Sequence, residues 1–285
     1  MKRKHYFPFL LLIVFTYPFS NNSLSLNKQS DDNTFHHVKK YQSVDSIDVS
    51  FGFADSSGRF LITSKINQLS KNSYYTVISS GKIFKLDFVE EREEKKESTG
   101  RQTAGNFKNS GGFLFQSPYI KLDPDKTYLI ADSNYLSQHT RLSIEPISYK
   151  SLASNKIEQI EEAKGKQIKS SWQIGRTDDG IILALVLFQP EKDTALASLV
   201  LMKNDLSVFE DYHGNLKDEY SVWRVDDGGE FNPQSINVIA LFHSTDGFEI
   251  ARTWAGEEGE NSVFLVQKEN VFEAVIEYYR YWVAE

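Results

Sequence analysis

The sequence predicts a mainly β protein, in which an antiparallel β-sandwich-like domain is followed by an α+β domain whose antiparallel sheet is packed by a C-terminal helix. Short segments with a two-residue alternation of apolar and polar side chains recur along the chain, as at residues 47–53. Turns rich in Gly, Asp and Ser separate them, which is typical of consecutive hairpins. The 20 Phe, 14 Tyr and 4 Trp also favour the pleated surface of a sheet.

The first 25 residues have the layout of a secretory signal. Lys2, Arg3 and Lys4 precede an apolar core at residues 6–19, which is shorter than the ~20 residues of a membrane-spanning helix. Small residues at Ser23 and Ser25 predict cleavage after Ser25; the alternative is an uncleaved N-terminal anchor. Residues 26–44 are polar and predict a flexible tether. We therefore expect an exported, periplasmic or extracellular protein with no membrane span after signal cleavage.

Composition excludes several classes of protein. The chain has no cysteine, which removes disulfides, thiolate chemistry and cysteine-bound metals, and in an exported chain of this size favours a bacterial source. The net charge is −7 overall and −10 (−7 less +3) after the basic leader. An acidic chain repels phosphate backbones, so no nucleic-acid partner is expected.

The first domain is assigned to residues 45–149. Hairpins are predicted from 47–53 with 60–62 and from 74–78 with 82–88. Residues 89–112 combine a mixed charge run with a polar, Gly-containing stretch, which predicts a mobile loop.

A short pattern follows that loop. Leu122, Pro124 and Tyr128 are spaced as L-x-P-x-x-x-Y. This spacing resembles the tyrosine corner of fibronectin type III and related sandwiches, in which the Tyr bonds back to the preceding turn. The match covers seven residues, and no Trp lies between residues 45 and 150, where those modules have a core Trp. The resemblance implies a sandwich.

Residues 150–285 are assigned to the second domain, which opens with a predicted helix at 154–169. Strands are predicted at 172–176, 181–188, 195–202, 220–225, 236–242, 248–254 and 263–266. Turns are predicted at 177–180, 211–215, 226–229, 245–247 and 257–259. Asn270 and Glu273 form a capping-box-like pair before an apolar stripe, which predicts the C-terminal helix. That stripe consists of Val271, Phe272, Val275, Tyr278, Tyr279 and Trp282.

No catalytic, cofactor or metal-binding motif is present, so no catalytic residue, cofactor or metal is predicted. The candidate binding residues combine aromatic and acidic side chains: Trp223, Asp226, Asp227, Glu230, Trp254, Glu257 and Glu258. Aromatic faces stack on sugars, and carboxylates accept bonds from hydroxyls. The alternatives are that both Trp residues are core and the acids occupy turns, or that residues 226–230 bind Ca²⁺.

The expected function is that of a non-catalytic binding or accessory protein of the envelope or extracellular space, contacting a protein or a glycan. The alternative is a carboxylate-based hydrolase acting on carbohydrate, for which Asp227 and Glu257 are the residues to test. A third reading is a structural accessory to a surface or secretion assembly.

Overall fold

A computed structural model describes residues 49–63, 75–79, 82–224 and 227–282, which form two antiparallel-rich β-sheets with few helices. The mainly β class is confirmed. The predicted leader and tether lie outside the described residues. No helix within the described part is both long and apolar enough to cross a membrane.

The first sheet is a closed six-stranded barrel. Its strands are β1 (Val49–Ala54), β2 (Phe60–Thr63), β3 (Tyr75–Ser79), β4 (Lys82–Arg92), β5 (Gly112–Gln116) and β6 (Thr127–Asp132). They follow one another around the barrel in the order β1-β2-β5-β4-β3-β6. The predicted sandwich is therefore corrected to a barrel, because β1 pairs with β6 from Val49–Ala131 to Phe53–Thr127 and closes the sheet.

The local predictions inside the barrel are confirmed. β1 pairs with β2 and β3 with β4 as antiparallel hairpins. The hydroxyl of Tyr128 accepts a hydrogen bond from the backbone N–H of Asp123 at 2.7 Å, and Leu122 is buried. The tyrosine-corner contact thus forms, but within a barrel.

The wall made by β1 and β6 is buried on both faces. Tyr128 and Ile130 of β6 pack into the barrel core, whereas Val49 and Phe51 of β1 pack against the second sheet. Gly52 faces β2 so closely that a Cβ there would lie 2.5 Å from the carbonyl oxygen of Ile62. Small residues on β1 let the barrel close, and its aromatic residues are left for the junction with the other sheet.

The segment predicted as a mobile loop starts as a strand, since β4 continues to Arg92. Beyond it, Phe107 is buried against Phe53 with ring centroids 5.6 Å apart. The backbone N–H of Gln102 donates to the carbonyl of Tyr281 at 3.0 Å. The mobility of residues 89–112 stays a prediction, and these contacts place the segment against both sheets.

The second sheet, here the larger sheet, has ten strands in the order β7-β13-β14-β15-β16-β12-β11-β10-β9-β8. The connecting helix α1 (Ser133–Gln138) leads from the barrel into it. Its strands are β7 (Thr140–Leu142), β8 (Glu145–Lys150), β9 (Ile168–Arg176), β10 (Ile182–Phe188), β11 (Thr194–Lys203), β12 (Leu206–Asn215), β13 (Ile236–Ser244), β14 (Gly247–Ala255), β15 (Gly259–Lys268) and β16 (Val271–Tyr281). The change of sheet therefore occurs at Thr140, ten residues before the predicted boundary.

The larger sheet consists mainly of two four-stranded antiparallel meanders, β9–β12 and β13–β16. They meet where β12 runs parallel to β16 at the pair Phe209–Val271. The last turn of each meander contains a residue with positive φ, Asn204 at 53° and Glu269 at 56°. The meanders pack on each other through a shared apolar core that includes Leu185 and Ile250.

The outer faces of the two meanders are covered differently. The helix α2 (Ser154–Lys164) buries Ile160 against β10 and β11, and the barrel covers the second meander. The predicted helix at 154–169 is thus shorter than expected. It ends at Gly165, whose φ of 64° is left-handed, and the chain enters β9 at Ile168.

Arg280 of β16 connects the two sheets. Its Nε donates to the carbonyl of Gln102 at 2.8 Å and its Nη2 donates to the carbonyl of Pro124 at 2.7 Å. The guanidinium also lies 5.4 Å from the ring centroid of Phe53. Burial lowers the pKa of Arg280, which the nearby charges partly oppose. Since these partners belong to the barrel and its loops, Arg280 joins the barrel to the larger sheet.

The predicted C-terminal helix is wrong, because residues 271–281 form strand β16. The segment is rich in β-branched and aromatic residues, and β15 offers it a ladder from Gly259–Tyr281 to Lys268–Val271. A bulge near Val275 moves the following side chains to the opposite face, so Phe272 lies in the core between the meanders and Tyr278 faces the barrel. This change of face breaks the two-residue alternation and produces the helix-like spacing.

The predicted turn at 211–215 is also wrong, because it lies inside β12. Asp211 accepts hydrogen bonds from Ser198 Oγ at 2.6 Å and from Lys164 Nζ, so its charge is paired on the sheet face. A Cβ at Gly214 would lie 3.0 Å from Val222 and 3.1 Å from Trp223. These polar and small residues therefore serve the packing of a strand.

Candidate functional site

The loop between β12 and β13 is built around the side chain of Asp227. Its Oδ1 accepts hydrogen bonds from the backbone N–H groups of Val222 at 3.1 Å and Gly229 at 2.8 Å. Its Oδ2 accepts from the backbone N–H groups of Arg224 at 2.6 Å and of Trp223. These N–H groups bond to a carboxylate and not to a neighbouring strand, so the strand predicted at 220–225 is wrong over 220–224, and Val225 lies outside the described residues.

Two glycines complete this loop. Gly228 and Gly229 have φ of 66° and 80°, in the left-handed region that glycine adopts most easily. A Cβ at Gly229 would lie 2.5 Å from the carbonyl oxygen of Glu219. The Asp-Gly-Gly sequence is therefore explained by the conformation of the loop.

We expect Asp227→Ala to loosen this loop, because four backbone N–H groups lose a charged acceptor. Hydrogen bonds to charged groups contribute about 1.5–3 kcal/mol each when buried, and partial exposure leaves a global loss of about 2 kcal/mol. Trypsin cleavage after Arg224 should accelerate, measured by gel and mass spectrometry. Glu230→Ala is the control, since Glu230 is exposed in the same loop. Equal cleavage rates in the two variants would contradict this role of Asp227.

Behind Arg224 lies a cluster of five aromatic residues, here called the aromatic cluster: Trp172, Tyr212, Trp223, Phe231 and Trp254. Phe231 is at its centre, with ring centroids 5.2 Å from Trp223, 6.0 Å from Trp172, 6.2 Å from Trp254 and 6.3 Å from Tyr212. The cluster continues the apolar core between the two meanders. Trp223 and Trp254 are both partly buried, so they are neither fully buried core residues nor freely exposed surface residues.

Arg224 covers one face of the aromatic cluster. Its guanidinium lies 5.5 Å from the ring centroid of Trp254 and donates to the backbone carbonyl of the same residue. A Cβ at Gly256 would lie 3.1 Å from Nη2 of Arg224, so the neighbouring turn leaves room for this cation. Burial lowers the pKa of Arg224, and the nearby Tyr279, Glu260 and Asp227 oppose that shift.

A buried ion pair lies below the aromatic cluster. Arg252 of β14 donates to both carboxylate oxygens of Glu210 of β12, and its Nη1 donates to Oδ1 of Asn261 at 2.9 Å. The hydroxyl of Tyr212 donates to Glu210 Oε2 at 2.6 Å. Burial opposes the charge of Arg252, but Glu210 and Tyr212 outweigh it and raise its pKa. Burial and the charge of Glu210 raise the pKa of Tyr212. This network links one strand of each meander.

The structure brings together only some of the predicted binding residues. Trp223 and Trp254 meet in the aromatic cluster, and Asp227 is committed to the backbone of its loop. Glu230, Glu257 and Glu258 are exposed on loops and do not join the aromatic cluster, and Asp226 lies outside the described residues. Asp227 was considered for hydrolysis together with Glu257. Its carboxylate is bound to the backbone of the loop and is therefore not free to act on a substrate.

Sequence reasoning did not predict Trp172, Tyr212 or Phe231 as members of the cluster, nor Arg224 as its cover. Tyr212 was assigned to a turn, and Phe231 follows the Gly-Gly loop without any periodic pattern. Trp172 belongs to a correctly predicted strand. The alternation of β9 gave the only available signal, because strands place large aromatic residues on a buried face.

Within the described part of the chain, no group of three or more His, Asp or Glu side chains is placed to hold a metal ion. Comparisons with protein-family models, with curated proteins and with solved structures find no match to this chain.

Proposed function

We propose that the protein is an exported, non-catalytic binding protein that contacts a protein partner through the surface around Arg224. The observation that carries the proposal is a set of exposed aromatic residues beside a supported cation. Tyr220 is 75% exposed in the loop that holds Arg224, and Tyr279 is 48% exposed on β16. Tyrosine and arginine are enriched among residues that dominate protein–protein binding energy.

Rigid support strengthens this surface. Trp254, Asn261 and Tyr279 are consecutive cross-strand neighbours on β14, β15 and β16, so the exposed Tyr stands in a row with a cluster residue. The carboxylate of Asp227 holds the loop that presents Arg224. Side chains that are already ordered lose less conformational entropy on binding, which favours affinity.

A protein partner is favoured over a glycan by the state of the Trp rings. Sugar binding uses open aromatic faces, whereas Arg224 stacks over Trp254, and Trp223 packs edge-on to Phe231. The exposed acids Glu257 and Glu258 add a negative rim, which suits a partner with basic residues. Export rests on the N-terminal sequence described above.

The test places a photo-crosslinking phenylalanine at Tyr279 in the full-length protein produced in its native cells. We expect a discrete protein adduct, and we expect Tyr220→Ser with Tyr279→Ser to weaken binding of the captured partner tenfold or more. The matched control is Tyr119, which is 69% exposed and lies in the barrel region. The crosslinker at Tyr119 should give no such adduct, and Tyr119→Ser should leave binding unchanged.

A glycan array with the mature protein decides between ligand classes. Binding to glycans that depends on Tyr220 and Tyr279 would replace the protein partner with a carbohydrate. An adduct that forms equally well from position 119 would contradict the proposal that the partner binds the surface around Arg224.

A further inference from the structure

Three polar side chains meet where α1 packs on the larger sheet. The hydroxyl of Tyr135 donates to Oε2 of Glu249, and Nε2 of His139 lies 3.3 Å from Oε1 of the same carboxylate. The rings of Tyr135 and His139 stack with centroids 4.0 Å apart and an interplanar angle of 9°. Tyr135 and Glu249 are buried, and His139 is partly buried.

The contacts of His139 determine where its hydrogens are. Its Nδ1 lies 2.7 Å from the backbone carbonyl of Tyr135, and a carbonyl oxygen only accepts, so Nδ1 carries a hydrogen. In a neutral ring Nε2 then holds a lone pair, which would face a carboxylate oxygen. The contact becomes favourable when one proton lies between them, either on Nε2 or on Glu249.

The surroundings favour retention of that proton. Burial raises the pKa of Glu249 above its usual range, and Asp246 adds to the shift, while the bond from Tyr135 and the charge of His139 oppose it. Burial and Glu249 raise the pKa of Tyr135, so its hydroxyl remains a donor.

Among the described residues, the elements around Glu249 carry further charged groups at Arg141, Glu273 and Asp132. Along its cross-strand row, Arg141 of β7 lies two strands away on one side and Glu273 of β16 two strands away on the other. Glu273 is paired with Lys268 at 3.1 Å. Asp132 caps α1 by accepting from the backbone N–H of Asn134.

The position of the cluster gives it a consequence for the whole molecule. Helix α1 is the chain segment that joins β6 of the barrel to β7 of the larger sheet. Tyr135 also packs edge-on to Phe242, with ring centroids 5.3 Å apart. We propose that Glu249 and His139, with Tyr135 as donor, bind one shared proton that holds α1 on the larger sheet, and that loss of this proton loosens the junction with the barrel.

The sign of the pH dependence follows from proton uptake. Because the pKa of Glu249 is raised in the folded protein, the folded pair keeps one shared proton, whereas the unfolded chain holds that one proton on an imidazole and releases it above the ordinary histidine value of about 6.5. This contribution to stability is complete below that value and is lost as pH rises through the folded value. The inflection in the free energy of unfolding against pH belongs to the Glu249–His139 pair as a unit.

The experiment measures urea unfolding and amide hydrogen exchange of residues 133–139 from pH 5 to pH 9. For one proton the unfolding equilibrium constant rises by up to about tenfold per pH unit in the titrating range. Glu249→Gln can accept from Tyr135 and donate to Nε2 of His139 without titrating, so it should remove this slope and keep α1 protected at high pH. His243→Asn is the control and should keep the wild-type slope, since His243 is exposed on β13.

Tyr135→Phe provides a second and directional test. Its hydroxyl bond lowers the pKa of Glu249, so removing the hydroxyl should move the inflection to higher pH. Parallel slopes for wild type and Glu249→Gln, or an inflection that Tyr135→Phe leaves in place or moves to lower pH, would overturn the proposal.

Discussion

Replacing Arg252 with Met is expected to lower the free energy of unfolding by about 3–5 kcal/mol, because Glu210 would remain charged and buried without its partner. Arg252 is 5% exposed and contacts both oxygens of Glu210. The Tyr212 hydroxyl alone cannot neutralise that carboxylate. Urea unfolding followed by Trp fluorescence measures the loss, and Trp254 close to the site makes the signal sensitive.

The double variant Glu210→Met with Arg252→Met separates charge from packing. Replacing both members of a buried pair with apolar residues of similar volume is often neutral or stabilising. We therefore expect the double variant to recover most of the loss. A double variant as unstable as Arg252→Met would mean that the network stabilises the meanders by its shape and hydrogen bonds. The unpaired charge of Glu210 would then contribute little to the loss of stability.

Replacing Phe264 with Ala is expected to cost about 3–5 kcal/mol, because it leaves a cavity at the junction of the two sheets. Phe264 is fully buried and packs edge-on to Tyr135, with ring centroids 6.0 Å apart. Its cluster also contains Phe51 of the barrel. The loss should appear in the unfolding of both sheets, since each relies on this junction for a buried face.

Phe264→Leu keeps most of the volume and is expected to cost less than about 1.5 kcal/mol. Calorimetry measures the loss of stability of the whole molecule. Hydrogen exchange reports on the barrel and the larger sheet separately. If Phe264→Ala destabilised only the larger sheet and left exchange in β1 and β6 unchanged, the two sheets would not unfold together, which would contradict this prediction.

The C-terminal segment shows why periodicity alone is ambiguous. An apolar stripe at 271–282 is compatible with a helix, and also with a strand whose alternation shifts at a bulge. The decision depends on β15, which supplies a pairing partner for every residue of β16 except the bulged one. A single-sequence pattern contains no information about that partner, so propensity was overridden by tertiary pairing.

The candidate site illustrates the same point for side chains. The acids at 226–230 had the composition of a ligand-binding segment, yet Asp227 binds the backbone of its own loop. Trp223 and Trp254 were selected from the sequence as candidate binding residues, and the structure brings them to the same cluster across 31 positions of chain. Composition predicted which residue types matter, but their partners depend on the path of the chain.

The sequence by itself determined the β-rich class, the barrel hairpins, the bond between Tyr128 and Asp123, and most strands of the larger sheet, because alternation and turn residues act over a few positions. Tertiary structure alone decided the closure of the barrel by β1 and β6, the strand at the C-terminus and the meeting of Tyr135, His139 and Glu249. The barrel closure and the contacts of Glu249 join residues more than 70 positions apart, and the C-terminal strand depends on its pairing with β15 and on the bulge near Val275. Their free energy comes from burial and pairing that exist only after the chain has folded.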